Sequence, residues 1–270
     1  MMFFYGKTDK GRQRAINQDN FLTMRLCDNV LLFVLCDGMG GTNGGHIASK
    51  LAVSSFAEYV EETVSRFIDS DSDICNIESL APIELLHEAV SRANQAVFRR
   101  SRENSELSNM GTTLVGALVC NDVLYTVNIG DSRLYMFSDT KIKQLTHDHS
   151  YVQMLVDMQR ITKEEAQTNP RRNILTRALG TESRVEADIA SIVLPSEKAY
   201  YLLCSDGLYN FLPEEKLLQT VTENADCEDD DHEKELQIKT DSLINRANDG
   251  GGGDNITAIL IKYLPNEVNA

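Results

Sequence analysis

Four aspartates adjoin apolar runs at widely separated points of the chain, and this pattern restricts its architecture more than any other feature. Asp37 closes the run at residues 30–36, Asp131 follows the period-two apolar series Val123, Tyr125, Val127 and Ile129, Asp206 follows residues 200–204, and Asp254 stands just ahead of residues 256–263. Short apolar runs rich in β-branched residues predict strands, the first of them buried on both faces. A single Asp-Gly pair, such as Asp37-Gly38 or Asp206-Gly207, is by default a turn, because both residues suit turn dihedrals. The set carries more information. Strands of one sheet system bring their ends together, so these four carboxylates are expected to meet.

Helical periodicity separates the strand-like runs. Ala48, Leu51, Ala52, Phe56, Tyr59, Val60, Val64 and Phe67 recur at helical spacing, as do Leu86, Ala89, Val90, Ala93 and Val97 after Pro82 in a first-turn position. Residues 69–80 are polar and predict a loop. Further helices are expected from near Pro213 and over residues 236–247, and Thr162 with Glu165 predicts a short capped helix. Strand-turn-strand units such as 112–119 with 123–129 are not matched one-for-one by helices. The pattern predicts an α+β fold of mainly antiparallel sheets with helices outside. With no repeat and no composition break, residues 1–270 read as a single domain.

Composition narrows the partners. Lys and Arg number 26 against 41 Asp and Glu, a formal net charge of -15, which repels a nucleic-acid backbone. The 6 cysteines form no C-x-x-C pair, and Cys36, Cys120 and Cys204 lie in apolar runs, as expected of reduced thiols in a cytoplasmic protein. Residues 30–36 fall far below the roughly 20 needed to span a bilayer, and the opening MMFFYGK is too short for a signal peptide, so no membrane association is expected. Three superficial motifs fail. The acidic run from Glu223 to Asp231 has Asp231 where a calcium loop needs glycine and reads as a solvated loop. Gly6-Lys7-Thr8 lacks the upstream glycine of a P-loop, and Asn255 spoils a dinucleotide fingerprint after Gly250.

Carboxylates held close together cannot all ionise without a counter-ion. Hard divalent cations prefer oxygen, so an aspartate-only set suits Mg²⁺ or Mn²⁺, and Gly38 would let the backbone approach such an ion and offer its carbonyl. Arg12 and Arg14 lie near Asp19 in the sequence. A guanidinium beside a metal cluster suits a bidentate hold on phosphate, whereas in isolation the same motif is an Arg-Asp surface pair.

The motifs GRQRAINQD (residues 11–19), CDGMGG (36–41), GTTLVGALV (111–119), NIGDSRLY (128–135), LTHDHS (145–150), ILTRALG (174–180), CSDGLYNFL (204–212) and GGDNITAIL (252–260) appear in that order. In this combination the chain resembles the metal-dependent protein phosphatases of type 2C, in their compact bacterial form. The resemblance implies a four-layer αββα sandwich of two central antiparallel sheets flanked by helices. It implies that Asp37 bridges two metal ions with the Gly38 carbonyl on one, that Asp206 and Asp254 complete the pair, and that Asp19 acts through a metal-bound water. It implies a third ion at Asp131 and Asp206, and Arg14 as the phosphate-binding arginine; Arg12 aligns with no role. The implied activity is hydrolysis of phosphoserine and phosphothreonine on proteins by a metal-bridging hydroxide, without a phosphoenzyme, with Mn²⁺ or Mg²⁺ as cofactor, phosphorylated proteins as substrates and a serine/threonine kinase as functional counterpart to a monomeric enzyme.

The sequence departs from the family in places. Met39 follows the Asp-Gly pair where some relatives have histidine, Thr42 and Asn43 intervene before Gly44, and Gln18 replaces a common glutamate. His46 is the nearest histidine and is expected to open the helix, while His147 and His149 are expected to stabilise turns. Residues 150–180 occupy the position of a flap over the edge of the site. A phosphoprotein-binding relative with a dead site and a phosphatase for small phosphomonoesters remain as rival readings.

Overall fold

The computed structural model describes residues 1–69, 71–103, 105–225, 227 and 231–265, with only the backbone described at Thr42 and Asn43. The acidic run read as a solvated loop falls partly outside these residues. The strands are β1 (Met2–Asp9), β2 (Asp19–Cys27), β3 (Val30–Met39), β4 (Gly111–Thr112), β5 (Leu114–Cys120), β6 (Val123–Ile129), β7 (Arg133–Phe137), β8 (Ile142–Gln144), β9 (Asp188–Val193), β10 (Ala199–Cys204) and β11 (Ile256–Tyr263). The helices are α1 (Gly41–Val64), α2 (Ile77–Leu80), α3 (Pro82–Glu103), α4 (Tyr151–Asp157), α5 (Lys163–Thr168), α6 (Asp206–Tyr209), α7 (Glu214–Thr222) and α8 (His232–Asp249).

Two antiparallel sheets stack face to face. One runs β1-β11-β10-β7-β8 and the other β2-β3-β5-β6-β9, with β4 on the end of β3. Between them lies a core that includes Leu31, Phe33, Leu35, Val115, Leu134, Tyr201, Leu203, Ile259 and Ile261. Alternate residues of the same strands face outward. Leu32, Val34 and Leu118 pack under Phe56, Val60, Leu86 and Val97 of α1 and α3. Leu202, Leu260 and Ala258 pack under Leu217, Leu236 and Leu243 of α7 and α8. Central strands β3, β5, β10 and β11 are buried on both faces, which is why they read as continuous apolar runs rather than alternating ones. The result is the expected αββα sandwich. Among the described residues, no helix is long and apolar enough to cross a membrane.

Several elements depart from the sequence-based expectation. The segment expected as a loop carries the four-residue helix α2, capped by the Asn76 side chain, which accepts from the Ser79 N–H. α1 begins at Gly41, so His46 sits exposed inside the helix rather than opening it. The capped helix α5 has both halves of its box, Thr162 to the Glu165 N–H and the Glu165 side chain to the Thr162 N–H. All six cysteines are free thiols.

Candidate active site

The antiparallel register brings the key aspartates to one end of the sandwich. Asp19 opens β2 directly opposite Asp37 in β3. Asp131 follows β6, Asp206 begins α6 just after β10, and Asp254 precedes β11. Asp37, Asp131, Asp206 and Asp254 line a cleft of about 470 Å³ together with Arg14, Ile16, Gln18, Gly38, Thr113, Asn173, Leu175 and Asn255. Asp19 stands behind it, 4% exposed.

Close backbone approach builds the floor. A Cβ on Gly38 would stand 2.0 Å from the Gly45 carbonyl oxygen, and one on Gly207 would stand 1.9 Å from that of Asn255. Glycine at 38 is therefore required by the start of α1 pressing on β3, a packing demand that the sequence-based argument, framed around a cation, did not include.

Hydroxyls and amides hold the carboxylates in place. Ser205 and Thr257 both donate to Oδ2 of Asp19, at 2.8 and 2.6 Å. Thr113 accepts from the Asp37 N–H at 2.9 Å and shares a 2.7 Å contact with Ser132, the residue after Asp131. Asn210 donates to Oδ2 of Asp206 at 3.1 Å. Asn255 accepts from the Gln18 N–H and donates to the carbonyls of Lys10 and Ile16, pinning the loop that carries Arg14. Sequence reasoning assigned no role to Ser205, Thr257, Thr113, Ser132 or Asn255. Each lies inside a quoted motif, but its partner is 19 to 245 residues away.

The electrostatics mark an unbalanced site. Burial first, and then mutual repulsion, push Asp37 and Asp206 well above the carboxylate range, Asp19 up to about 6 and Asp131 up to about 7. Oδ1 of Asp19 and Oδ1 of Asp206 are buried with no hydrogen-bond partner. None of Asp19, Asp37, Asp131 and Asp206 forms an ion pair among the described residues. Asp254 does: Nη2 of Arg14 lies 2.7 Å from its Oδ2. Arg14 thus pairs with Asp254 rather than with nearby Asp19, and Arg12 points away to Asp249.

Orphaned oxygens and an all-oxygen donor set suit a hard divalent cation. As the side chains stand, no group of three or more among the described residues is drawn into coordination geometry. The donor chemistry fits such an ion; the side chains would have to close around it.

The histidines stand apart from this chemistry. His149 is 5% exposed; its Nδ1 accepts from the Gly130 N–H at 3.2 Å and its Nε2 meets Asp188 at 3.1 Å, while burial lowers its pKa. His147 reaches Asp157 at the surface. His149 holds the bend at Gly130, as expected, whereas the His147 side chain reaches the C-terminal end of α4. The 150–180 segment is closed on itself where Ser150 bridges Leu175, and its far end is bridged by Leu179 to Thr112, beside Thr113 of the cleft. Its Asn173 and Leu175 reach the cleft wall.

Residues 8–239 match the family model described as Protein phosphatase 2C. The serine/threonine phosphatase Stp of Listeria monocytogenes is 35% identical over 257 residues, covering 95% of this chain and 94% of the relative. Sandwich, acidic cleft and sequence likeness together define a protein phosphatase. Among solved structures, Stp1 of Staphylococcus aureus superposes with a TM-score of 0.82 at 33% identity over 98% of this chain and 96% of that one. The catalytic domain of PstP, solved with two manganese ions, gives 0.77 at 31% identity over 96% and 97%. The chain belongs to the protein phosphatase 2C family.

Proposed function

We propose that the chain is a cytoplasmic, monomeric enzyme, a single catalytic domain over residues 1–270, that removes phosphate from phosphoserine and phosphothreonine on proteins and opposes a serine/threonine kinase. The observation that carries this reading is the set of Asp19, Asp37, Asp131 and Asp206, buried or half-buried and without cationic partners among the described residues, gathered beside the Arg14–Asp254 pair at the end of a phosphatase-family sandwich. In this reading Asp37, Asp206, Asp254 and the Gly38 carbonyl hold two Mn²⁺ or Mg²⁺ ions, Asp19 acts through a water, and Asp131 with Asp206 holds a third. Such ions supply Lewis acidity, lowering the pKa of water and neutralising phosphoryl charge.

The chain's own residues do the rest. Arg14 is about half exposed and pairs with an aspartate at the cleft rim, so its planar fork can transfer to two phosphoryl oxygens as substrate arrives. The Ser205 and Thr257 hydroxyls fix one oxygen of Asp19 and leave the other directed at its carboxylate neighbours. Among the described residues, no histidine or cysteine lines the cleft. Cys36 and Cys204 are fully buried with their thiols pushed up by burial, which supports direct hydrolysis over a cysteinyl phosphoenzyme. Asn173 and Leu175 at the cleft wall support an influence of the 150–180 flap on the choice of protein substrate.

A panel of phosphoseryl and phosphothreonyl peptides, alongside small metabolite phosphomonoesters, with Mn²⁺ or with a chelator, tests the proposal. Peptide turnover that needs Mn²⁺ and disappears in Asp206→Asn is expected. Full activity in that variant, or faster turnover of the metabolites, would refute it.

A further inference from the structure

Asp131 and Asp206 stand on different elements, yet one side chain ties them together. Tyr209, three residues along α6 from Asp206, donates its hydroxyl to the Asp131 carbonyl oxygen at 3.0 Å. Its ring lies under the Arg133 guanidinium, whose Cζ is 3.7 Å from the ring centroid. Arg133 begins β7, two residues past Asp131.

The guanidinium is held along its edges as well as over its face. Its Nη2 meets Oδ2 of Asp148 at 2.7 Å, its Nε donates to Oδ1 and Oδ2 at 3.0 and 3.1 Å, and its Nη1 donates to the Tyr135 hydroxyl at 2.8 Å. Asp148 is 6% exposed along its side chain and receives a further bond from Gln144 at 2.8 Å. A planar fork bound on two edges and stacked on one face cannot turn without breaking several contacts at once. On the other flank, the Gly130 N–H is fixed by His149 and the Ser132 hydroxyl by Thr113.

No side chain among the described residues hydrogen-bonds the Asp131 carboxylate. Its place is therefore set through the backbone, and among the described residues the one side-chain hydrogen bond from α6 to that backbone comes from the Tyr209 hydroxyl.

We propose that Tyr209 and Arg133 form a brace that fixes the spacing of the Asp131 and Asp206 carboxylates and so sets how tightly a divalent cation shared by those two is held. This rests on the reading of the cleft given above. Tyr209 and Arg133 are positioning residues: they touch neither substrate nor ion, and act through Asp131.

The test is calorimetric titration of Mn²⁺ into metal-stripped wild type, Tyr209→Phe, Arg133→Lys, Asp131→Asn and the Tyr209→Phe/Asp131→Asn double variant. Tyr209→Phe keeps the ring and its stack and removes only the hydroxyl. It should weaken one Mn²⁺ binding event by about 10-fold, the scale of losing a residue that orients a ligand, and leave the others unmoved. Asp131→Asn should lack that same event, and adding Tyr209→Phe to it should change nothing further. Arg133→Lys keeps the charge but loses the fork, and should weaken the same event. Thermal melts of the metal-free variants report on folding. An isotherm for Tyr209→Phe that overlays wild type overturns the brace, as does equal weakening of every event or an additive loss in the double variant. Absence of any Mn²⁺ binding by wild type would defeat the reading of the cleft itself, and the brace with it.

Discussion

Two hydroxyls converge on one oxygen of Asp19 while its other oxygen has no donor, and this asymmetry suits a carboxylate that orients rather than one buried for stability. Removing the shorter of the two bonds by Thr257→Val leaves part of a buried carboxylate unsatisfied. The expected loss is about 1–3 kcal/mol, read from the shift in urea midpoint. Arg14 acts on substrate instead of on the fold. Among the described residues its one ion pair is half exposed, so Arg14→Ala should leave the melting temperature within a degree or so of wild type. Its kcat/KM on a phosphopeptide should fall roughly 10²-fold, as expected for a lost donor to a charged transition state. An unchanged kcat/KM would remove Arg14 from the site.

At the level of elements, the junctions that set the site are tight backbone crossings, and they predict sharp intolerance. Gly38→Ala would drive a methyl group to 2.0 Å from the Gly45 carbonyl oxygen, a backbone atom at the start of α1. Overpacking of this kind costs about 1–3 kcal/mol, and here it would also push β3 away from α1 and displace Asp37. The variant should therefore lose both stability and activity, by denaturant titration and peptide assay. On the far side of the molecule, Glu235 of α8 joins Lys262 at 2.6 Å, Lys239 at 3.1 Å and the Tyr200 hydroxyl at 2.5 Å, all close to buried. Burial alone would raise its pKa, but these hydrogen bonds outweigh it and hold the carboxyl down at about 2. A folded pKa below the unfolded value of about 4.5 means the stabilisation is complete above pH 4.5 and fades as pH falls toward 2. Glu235→Gln strands Lys239 and Lys262 and should cost about 3–5 kcal/mol near neutrality. The gap to wild type should narrow over that acid window; a pH-independent gap would contradict the account.

For the molecule as a whole, an ion bound only by the folded state stabilises it by mass action. Free Mn²⁺ at about 100 times its dissociation constant contributes about 2.7 kcal/mol. For a domain of this size that corresponds to an upward shift of roughly 5–10 °C in melting temperature, reversed by a chelator. Asp206→Asn should lose most of the shift. The same shift in Asp206→Asn would place the ion elsewhere.

The sequence by itself determined the layered architecture and which four aspartates line the cleft. Doubly buried strands such as β3 and β10 write continuous apolar runs, and the outer helices write a 3.6-residue period, so both are visible locally. Asp37, Asp131, Asp206 and Asp254 were legible because each adjoins such a run. β9 was not, since its Asp188–Val193 segment is half exposed at a sheet edge, and neither was α2, four residues long and dependent on the Asn76 cap. Only the tertiary structure decided which partner each group takes: Arg14 with Asp254 rather than Asp19, Gly38 against Gly45, Tyr209 on Asp131. These choices depend on the stacking of two sheets and on where α1 and α6 begin beside their strand ends, distances that no local pattern of residues encodes.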